Sequence, residues 1–212
     1  AAPEVAAAKQ ATATIPIVMV AANDAVAMRL VENAQRPGGN VTGASYSSPQ
    51  MMQRRLELLK EAYIPARRIG VLVNPVNPMT EAILAALQVT AKTLKVQLMP
   101  IEARAPENIG NAFGAMVRDK LNAFVVTDDA VFTQSPVPLA ELAMSKRLPG
   151  IGSIEYVGAG GLMSYEVNQT AAWGRAAGFV SRIFKGARPG ELALEAATRF
   201  EQLFGESARG NI

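Results

Sequence analysis

Three observations predict an α/β fold with doubly wound parallel sheets. Strand and helix signals alternate from residue 68 to residue 154, as four strands with three helical stretches between them. Strands joined by helices of that length pair in parallel through right-handed crossovers, with helices on both sheet faces. The first strand signal, "IPIVMVA" at 15–21, is a continuous apolar run with β-branched residues, as a buried strand requires. Finally, half of the 212 residues are apolar and 18% are charged, which is enough for a real core and unlike a disordered chain or a coiled coil.

The elements follow in order. After 15–21 a helix is expected at roughly 25–35, stopping before the turn signal "RPGGN". "NVTGASY" (40–46) reads as the second strand. Ser48-Pro49 has the form of a helix N-cap followed by proline at the first position, and Met52, Leu56, Leu59 and Tyr63 give that helix one apolar face. "RIGVLVN" (68–74) is a strand; Asn77-Pro78 is expected to cap the next helix, whose core face is Ile83, Leu84, Leu87, Ala91 and Leu94. "VQLMPIEA" (96–103) is a strand, and Ile109, Phe113, Met116 and Val117 mark a helix near 107–119. "AFVVTDD" (123–129), a helix at 136–146, "PGIGSI" (149–154), "GGLMSYEV" (160–167) and a helix from Thr170 to Lys185 complete the pattern. Boundaries are expected at Pro65 with Arg67-Arg68 and at Gly158 to Gly161.

Composition excludes several chemistries. With no cysteine and no histidine there is no disulfide, no thiolate nucleophile, no Cys/His metal site, no Ser-His-Asp triad and no imidazole base. The net charge is +3, and the basic residues are scattered apart from short clusters such as Arg54-Arg55 and Arg67-Arg68. No basic stripe with interleaved aromatics marks a nucleic-acid partner. No apolar run spans a bilayer, and "AAPEVAAAKQ" has no basic region followed by an apolar core. The glycines of "YVGAGG" precede a strand rather than a helix, so they are no dinucleotide fingerprint. No cofactor motif occurs.

In open parallel sheets, ligands bind beyond the carboxyl ends of the strands. Those ends carry Asn23 and Asp24; Ser45; Asn74 and Asn77; Thr127, Asp128 and Asp129; Ser153, Glu155 and Tyr156. Each competes with a capping role, since Asn, Ser and Asp at such turns accept bonds from free helix N–H groups. Asn77 and Ser48 read as caps. Asn74 stands between cap and ligand contact, because Asn77 already serves the helix. Asp128-Asp129 fits a turn with a cap, or one carboxylate facing a ligand amine. Glu155 has no evident capping task, against which stands a solvated loop glutamate. Trp173 beside Ala172, Ala176 and Phe179 reads as packing.

Several segments together carry a family resemblance. "TATIPIVMV", "RPGGNVTGASY", "RRLELLKEAYIPARRIGVLVNPVNP", "KRLPGIGSIEYVGAGGLMSYEVN" and "IFKGARPGELALEAATRFE" closely resemble the solute-binding proteins of ABC transporters in the TrpX-like family, over about residues 4–200. The resemblance implies a two-lobed, type-one periplasmic-binding-protein fold that clamps a small-molecule solute by hinge closure. Residues 1–66 would be a partial first lobe, 67–160 the second lobe, and 161–212 the return to the first lobe with a C-terminal helix. The implied ligand is an amino acid, especially an aromatic one, or a related carboxylate. The implied partner is a cognate ABC permease in the membrane, and the implied location is periplasmic or extracytoplasmic. No catalysis, cofactor, metal or nucleic acid is implied. Asn74 and Asn77 fall on the "NP-NP" loop, and Ser45 follows the "GGNVTG" turn.

For an amino acid, Asn74, Ser45 and Thr127 would meet the carboxylate and Asp128 or Glu155 the ammonium. The double Asn-Pro loop is expected to hold Asn74 toward the ligand while Asn77 caps a helix starting at Pro78. The family pattern extends beyond both ends of this chain, so an incomplete first lobe that self-associates is also expected. A ligand-sensing domain of a regulator with the same fold is the alternative; an enzyme on a doubly wound sheet is disfavoured by the missing histidine, cysteine and cofactor motifs.

Overall fold

The computed structural model describes residues 2–206. The chain forms two compact units, one built from the residues up to Ser47 with Val167–Phe200, the other from Ser48–Glu166 with the segment from Glu201.

The first unit contains α1 (Ala2–Ala11), β1 (Ile17–Asn23) and β2 (Val41–Tyr46). Numbered along the chain, its later elements are α8 (Gln169–Phe184) and β8 (Glu195–Ala196). β1 and β2 pair in parallel from Ile17 opposite Val41 to Asn23 opposite Tyr46, and β8 joins the other side of β2. Met19, Ala22, Ala25, Leu30, Val31 and Val41 form the core beneath α1. α8 lies on β1 and β2 and buries Ala172, Ala176 and Phe179, spaced to share one helix face. The Asn168 side chain caps it by accepting from the Ala171 N–H at 2.8 Å.

The helix expected at 25–35 is not formed; the segment is a series of turns. Asp24 and Arg29 both adopt left-handed backbone, with φ of 48° and 55°. The Leu30 N–H reaches back to the Ala25 carbonyl at 2.9 Å, closing the turn around Arg29 in the manner of a helix terminus after barely one turn. The turn "RPGGN" is as expected, with Gly38 and Gly39 at φ of 70° and 62°.

The second unit holds α2 (Ser48–Ala62), β3 (Arg68–Val73), α3 (Thr80–Leu94), β4 (Gln97–Glu102), α4 (Ile109–Arg118) and β5 (Ala123–Val126). It continues with α5 (Ala130–Thr133), α6 (Pro136–Lys146), β6 (Gly150–Gly152), α7 (Ile154–Gly158), β7 (Met163–Val167) and β9 (Phe200–Phe204). The six-stranded sheet has the order β4-β3-β5-β6-β7-β9, parallel through β7. Leu72, Phe124 and Val126 meet Ile109, Phe113 and Met116 of α4, Leu139 of α6 and Tyr156 of α7 in one apolar layer. Strand residues alternate between faces, which turns Val71, Val73 and Val125 to the opposite side. α2 packs on α3, tied by Gln53 Nε2 to the Ala86 carbonyl and the Thr90 hydroxyl at 3.2 and 3.0 Å.

The units part at Ser47/Ser48, Glu166/Val167 and Phe200/Glu201, not at Pro65 and Gly160 as the sequence suggested. Two contacts explain the difference. α2 covers the strands that follow it, packing on β5 and β6. β7 pairs with β6, Ile151 opposite Met163 and Gly152 opposite Ser164, so "GGLMSYEV" extends the larger sheet.

Gly43 illustrates how closely β1 and β2 are fitted. Its φ is 130°, and a Cβ there would lie 2.2 Å from the Met19 carbonyl oxygen. Gly43→Ala is expected to lower stability by more than about 1 kcal/mol, because the new side chain meets both a disfavoured backbone angle and main-chain atoms that cannot move aside. Urea denaturation of the variant beside wild type checks this, and equal midpoints would contradict it.

Candidate functional site

The chain runs from β3 outward to β4, then returns to β5 on the other side of β3. The strand order therefore reverses between β3 and β5, and the carboxyl ends of these two strands flank the crevice where ligands of such sheets bind. Two structures stand on these ends: a loop clamp and a buried charge cluster.

The clamp answers why the loop after β3 carries two Asn-Pro pairs. Asn74 Nδ2 donates to Asp129 Oδ1 at 3.1 Å, and Asn77 Nδ2 donates to Asp129 Oδ2 at 2.9 Å. One carboxylate thus holds both amides. The amide oxygens turn back on the loop itself, Asn74 accepting from the Val76 N–H at 3.2 Å and Asn77 from the Met79 N–H at 2.9 Å. Asp129 also caps α5 through the Val131 N–H at 2.9 Å. The expectation that Asn77 caps a helix starting at Pro78 is corrected: α3 begins at Thr80, and no side chain caps its Met79 position. Its amide and carbonyl already serve Asp129 and a two-residue turn, and the Thr80 hydroxyl bonds the Asn74 carbonyl instead, at 2.6 Å. Asn74 is 7% exposed, and its amide nitrogen points to Asp129 from within the loop.

The second structure centres on Arg55, which α2 carries fully inside the unit, 0% exposed. Its Nε donates to the Tyr165 carbonyl of β7 at 2.8 Å, and Nη1 donates to the Val126 carbonyl of β5 at 2.8 Å. Nη1 also pairs with Asp128 at 2.9 Å, whose side chain keeps 15% of its surface. Nη2 is buried with no hydrogen-bond acceptor. Glu166, at the end of β7, completes the cluster. Burial raises its carboxyl to a pKa of about 7, against the pull of Arg55, while Glu155 and Asp128 push it further up and the Ile154 N–H draws it down. Neither Arg55 nor Glu166 is singled out by strand-end reasoning. A signal for Arg55 was present: it sits three residues after Met52 and four before Leu59, on the apolar face of its own helix. Glu166 is the one charged residue of β7, a weaker sign.

The remaining expected residues divide between the units. In the first unit, Asn23 ends β1 half-buried, Asp24 takes its left-handed turn, and the Ser45 hydroxyl accepts from the Ala25 N–H at 3.2 Å. In the second, Thr127 is buried and its hydroxyl donates to the Leu72 carbonyl at 2.8 Å, tying β5 to β3. Ser153 caps α7, accepting from the Tyr156 N–H at 3.4 Å. Glu155 stands exposed in the first turn of that helix. The structure thus pairs Asp128 with Arg55, sets Asp128 and Glu155 near enough to act on the Glu166 carboxyl, and assigns Asn74, Asn77, Thr127 and Ser153 bonds that hold the strand ends. Among the described residues, no group of three or more acidic, cysteine or histidine side chains is arranged to hold a metal ion. Nor, among them, is any helix long and apolar enough to cross a membrane.

The model of a family described as ABC transporter substrate binding protein matches residues 1–209, and the chain belongs to that family. A tyrosine-binding protein of Clostridioides difficile is 30% identical over 154 residues, which are 72% of this chain and 44% of that protein. The chain therefore spans less than half the length of that relative. Among solved structures, a conserved domain protein from Vibrio cholerae superposes with a TM-score of 0.85 at 27% identity, covering 98% of this chain and 69% of the other. An ABC domain in complex with L-Trp from Streptococcus pneumonia gives a TM-score of 0.85 at 21% identity, over 98% and 70%. The fold is that of the type-one periplasmic binding proteins.

Two expectations follow from the cluster. Asp128→Ala leaves a buried guanidinium without its counter-charge and should lower stability by about 3 kcal/mol. Arg55→Met combined with Asp128→Leu should recover part of that loss; urea denaturation of the three chains measures both. Glu166 gives a pH signature. Its folded pKa of about 7 exceeds the ordinary 4.5, so between those values the folded chain binds more protons than the unfolded one. Stability must then fall as pH rises through that window. Glu166→Gln should lack this fall and exceed wild type above the window by about 1–2 kcal/mol, less than the full shift because the carboxyl is partly solvated. Parallel pH profiles of the two proteins would contradict it.

Proposed function

We propose that the chain is the solute-binding component of an ABC importer and that its ligand is an amino acid with an aromatic side chain, or a related carboxylate. The observation that carries this reading is the family match over residues 1–209. The descriptions of its relatives sharpen it, one a tyrosine-binding protein and another solved in complex with L-Trp. The charge cluster of the second unit is compatible with it, since carboxylates are what an ammonium group needs. Asp128 and Glu155 are proposed for that task, and Asn23, Asp24 and Ser45 as ligand-binding residues of the first unit. An extracytoplasmic location, a cognate ABC permease and capture by closure of two lobes belong to the same proposal. The match to substrate-binding proteins gives the regulator-domain alternative no separate support.

We further propose self-association through the first unit. β1 is an edge strand of its sheet. Beside it lies a groove of about 600 Å³ lined by Val18, Val20, Trp173, Ala176, Val180 and Phe184. Trp173 and Phe184 are 63% and 87% exposed, unusual for rings of that size.

Thermal denaturation with added L-tyrosine, L-tryptophan and a panel of other L-amino acids tests the ligand. A ligand at about a hundred times its Kd should stabilise the chain by about 2.7 kcal/mol; no shift with any amino acid would overturn the reading. Light scattering over a concentration series tests self-association. A rising mass that Phe184→Ser abolishes is expected, and a constant monomer mass would refute it.

A further inference from the structure

The first unit leaves more apolar surface open than its own fold uses. α8 buries Ala172, Ala176 and Phe179 against β1 and β2. The residue after each repeats the pattern: Trp173, Ala177 and Val180, continued by Phe184, form a second apolar stripe beside the first. That stripe is exposed, and Val18 and Val20 of β1 line the same groove. Lys185, at the exposed end of the groove, keeps its ammonium in water. A second, independent observation comes from the backbone. Among the described residues β1 is paired on one side only, with β2. The Ile17 N–H turns inward to the Asn40 carbonyl at 2.8 Å, so along the strand the N–H and C=O groups of Val18 and Val20 turn to the open side. An occupant of this groove therefore meets apolar side chains and, beside them, a strand edge ready to pair.

We infer that the occupant is the first unit of a second copy, docked about a two-fold axis so that the two β1 strands pair antiparallel and the two α8 helices pack antiparallel on one face of the joined sheet. The inference gives the self-association proposed above a partner surface and a geometry, and it rests on that reading. The spacing fits. Neighbouring strands lie about 4.8 Å apart and α8 sits over β1 and β2, so pairing at β1 sets the helices about two strand spacings, roughly 10 Å, apart, the distance at which helices pack. The stripe is self-complementary. Laid against its reverse, Trp173 meets Phe184 and Ala177 meets Val180, so rings contact rings at both ends and small side chains let the helices approach at the centre. The area suffices. Trp173 and Phe184 each leave about 150 Å² open, and the four rings of a dimer supply about half of the smallest stable interface, with Val18, Val20, Val180 and the paired strands to add the rest. A head-to-tail arrangement is disfavoured because the opposite sheet edge, β8, offers only Glu195–Ala196 to a seven-residue strand. In the two-fold register Val18 of each copy exchanges main-chain bonds with Val20 of the other, and Met19 lies on the axis. Antiparallel pairing sends the carboxyl ends of the two β1 strands, with Asn23 and Asp24, in opposite directions, so neither copy covers those ends in the other.

The chain has one tryptophan and no cysteine, which supplies the probes. On dilution of the whole chain, light scattering should fall from dimer to monomer mass. Trp173 emission should move to longer wavelength over the same concentrations, as its ring returns to water. Val18→Lys places a charge at the strand edge and should raise the dissociation constant at least about tenfold, with an unchanged far-UV circular dichroism spectrum. A short thiol–thiol cross-linker should join Ala177→Cys into a covalent dimer. It should not join Gly178→Cys, which is turned away from the stripe and has open space around a Cβ; this pair decides the geometry if Val18→Lys fails to fold. A dimer that Val18→Lys leaves intact, that grows into larger species, or that Gly178→Cys joins in preference to Ala177→Cys overturns the inference and leaves self-association standing. A mass that stays monomeric overturns both, and leaves the ligand reading to its own denaturation test. A monomer in which added L-leucine moves the Trp173 emission makes the groove a solute site and also overturns the inference.

Discussion

A guanidinium removed entirely from water persists only where its charge and most of its nitrogens are answered from within. For Arg55 the charge, Nε and Nη1 are answered in this way while Nη2 has no acceptor, and the demand fixes much around it. By bonding the Val126 and Tyr165 carbonyls it ties α2 to the carboxyl ends of β5 and β7, so a helix that precedes the sheet in sequence is committed to its last strands. By pairing with Asp128 it fixes the loop after β5, the loop that also carries Asp129. The charge cluster and the loop clamp therefore meet in two adjacent aspartates with opposite-facing duties, one to a buried cation and one to two amides.

This division sorts the polar residues on the strand ends. Asn74, Asn77, Thr127 and Ser153 bond to other groups at the strand ends, and they stiffen the rim. Asp128 pairs with Arg55, and Asp128 and Glu155 both act on the half-buried carboxyl of Glu166. Side chains bonded in this way have little conformational freedom left to lose.

Much of this architecture is legible in the sequence, for stated reasons. The alternation of apolar strands with amphipathic helices locates β3 to β7 and α2, α3, α4, α6 and α8 within a few residues, since burial dictates both patterns. What the pattern could not show is set by contacts distant in sequence. The turns at 25–35 have helical composition, yet Asp24 and Arg29 take left-handed backbone in place. Arg54 and Arg55 look alike as a basic pair, but the helix turns Arg54 toward Glu57 and Glu61 at the surface and Arg55 inward. Asn77 reads as a cap because nothing local reveals that Asp129, fifty-two positions away, takes its amide.

The two Asn-Pro pairs have a further chemical consequence. Asparagine side chains age by attack of the following backbone nitrogen on the amide, which closes a five-membered imide and ends as aspartate. Proline has no N–H to make that attack, and proline follows both Asn74 and Asn77. Were either amide lost, a new carboxylate would stand where Asp129 now accepts a hydrogen bond at about 3 Å, and attraction would turn to repulsion. The prolines thus protect the clamp against slow covalent decay.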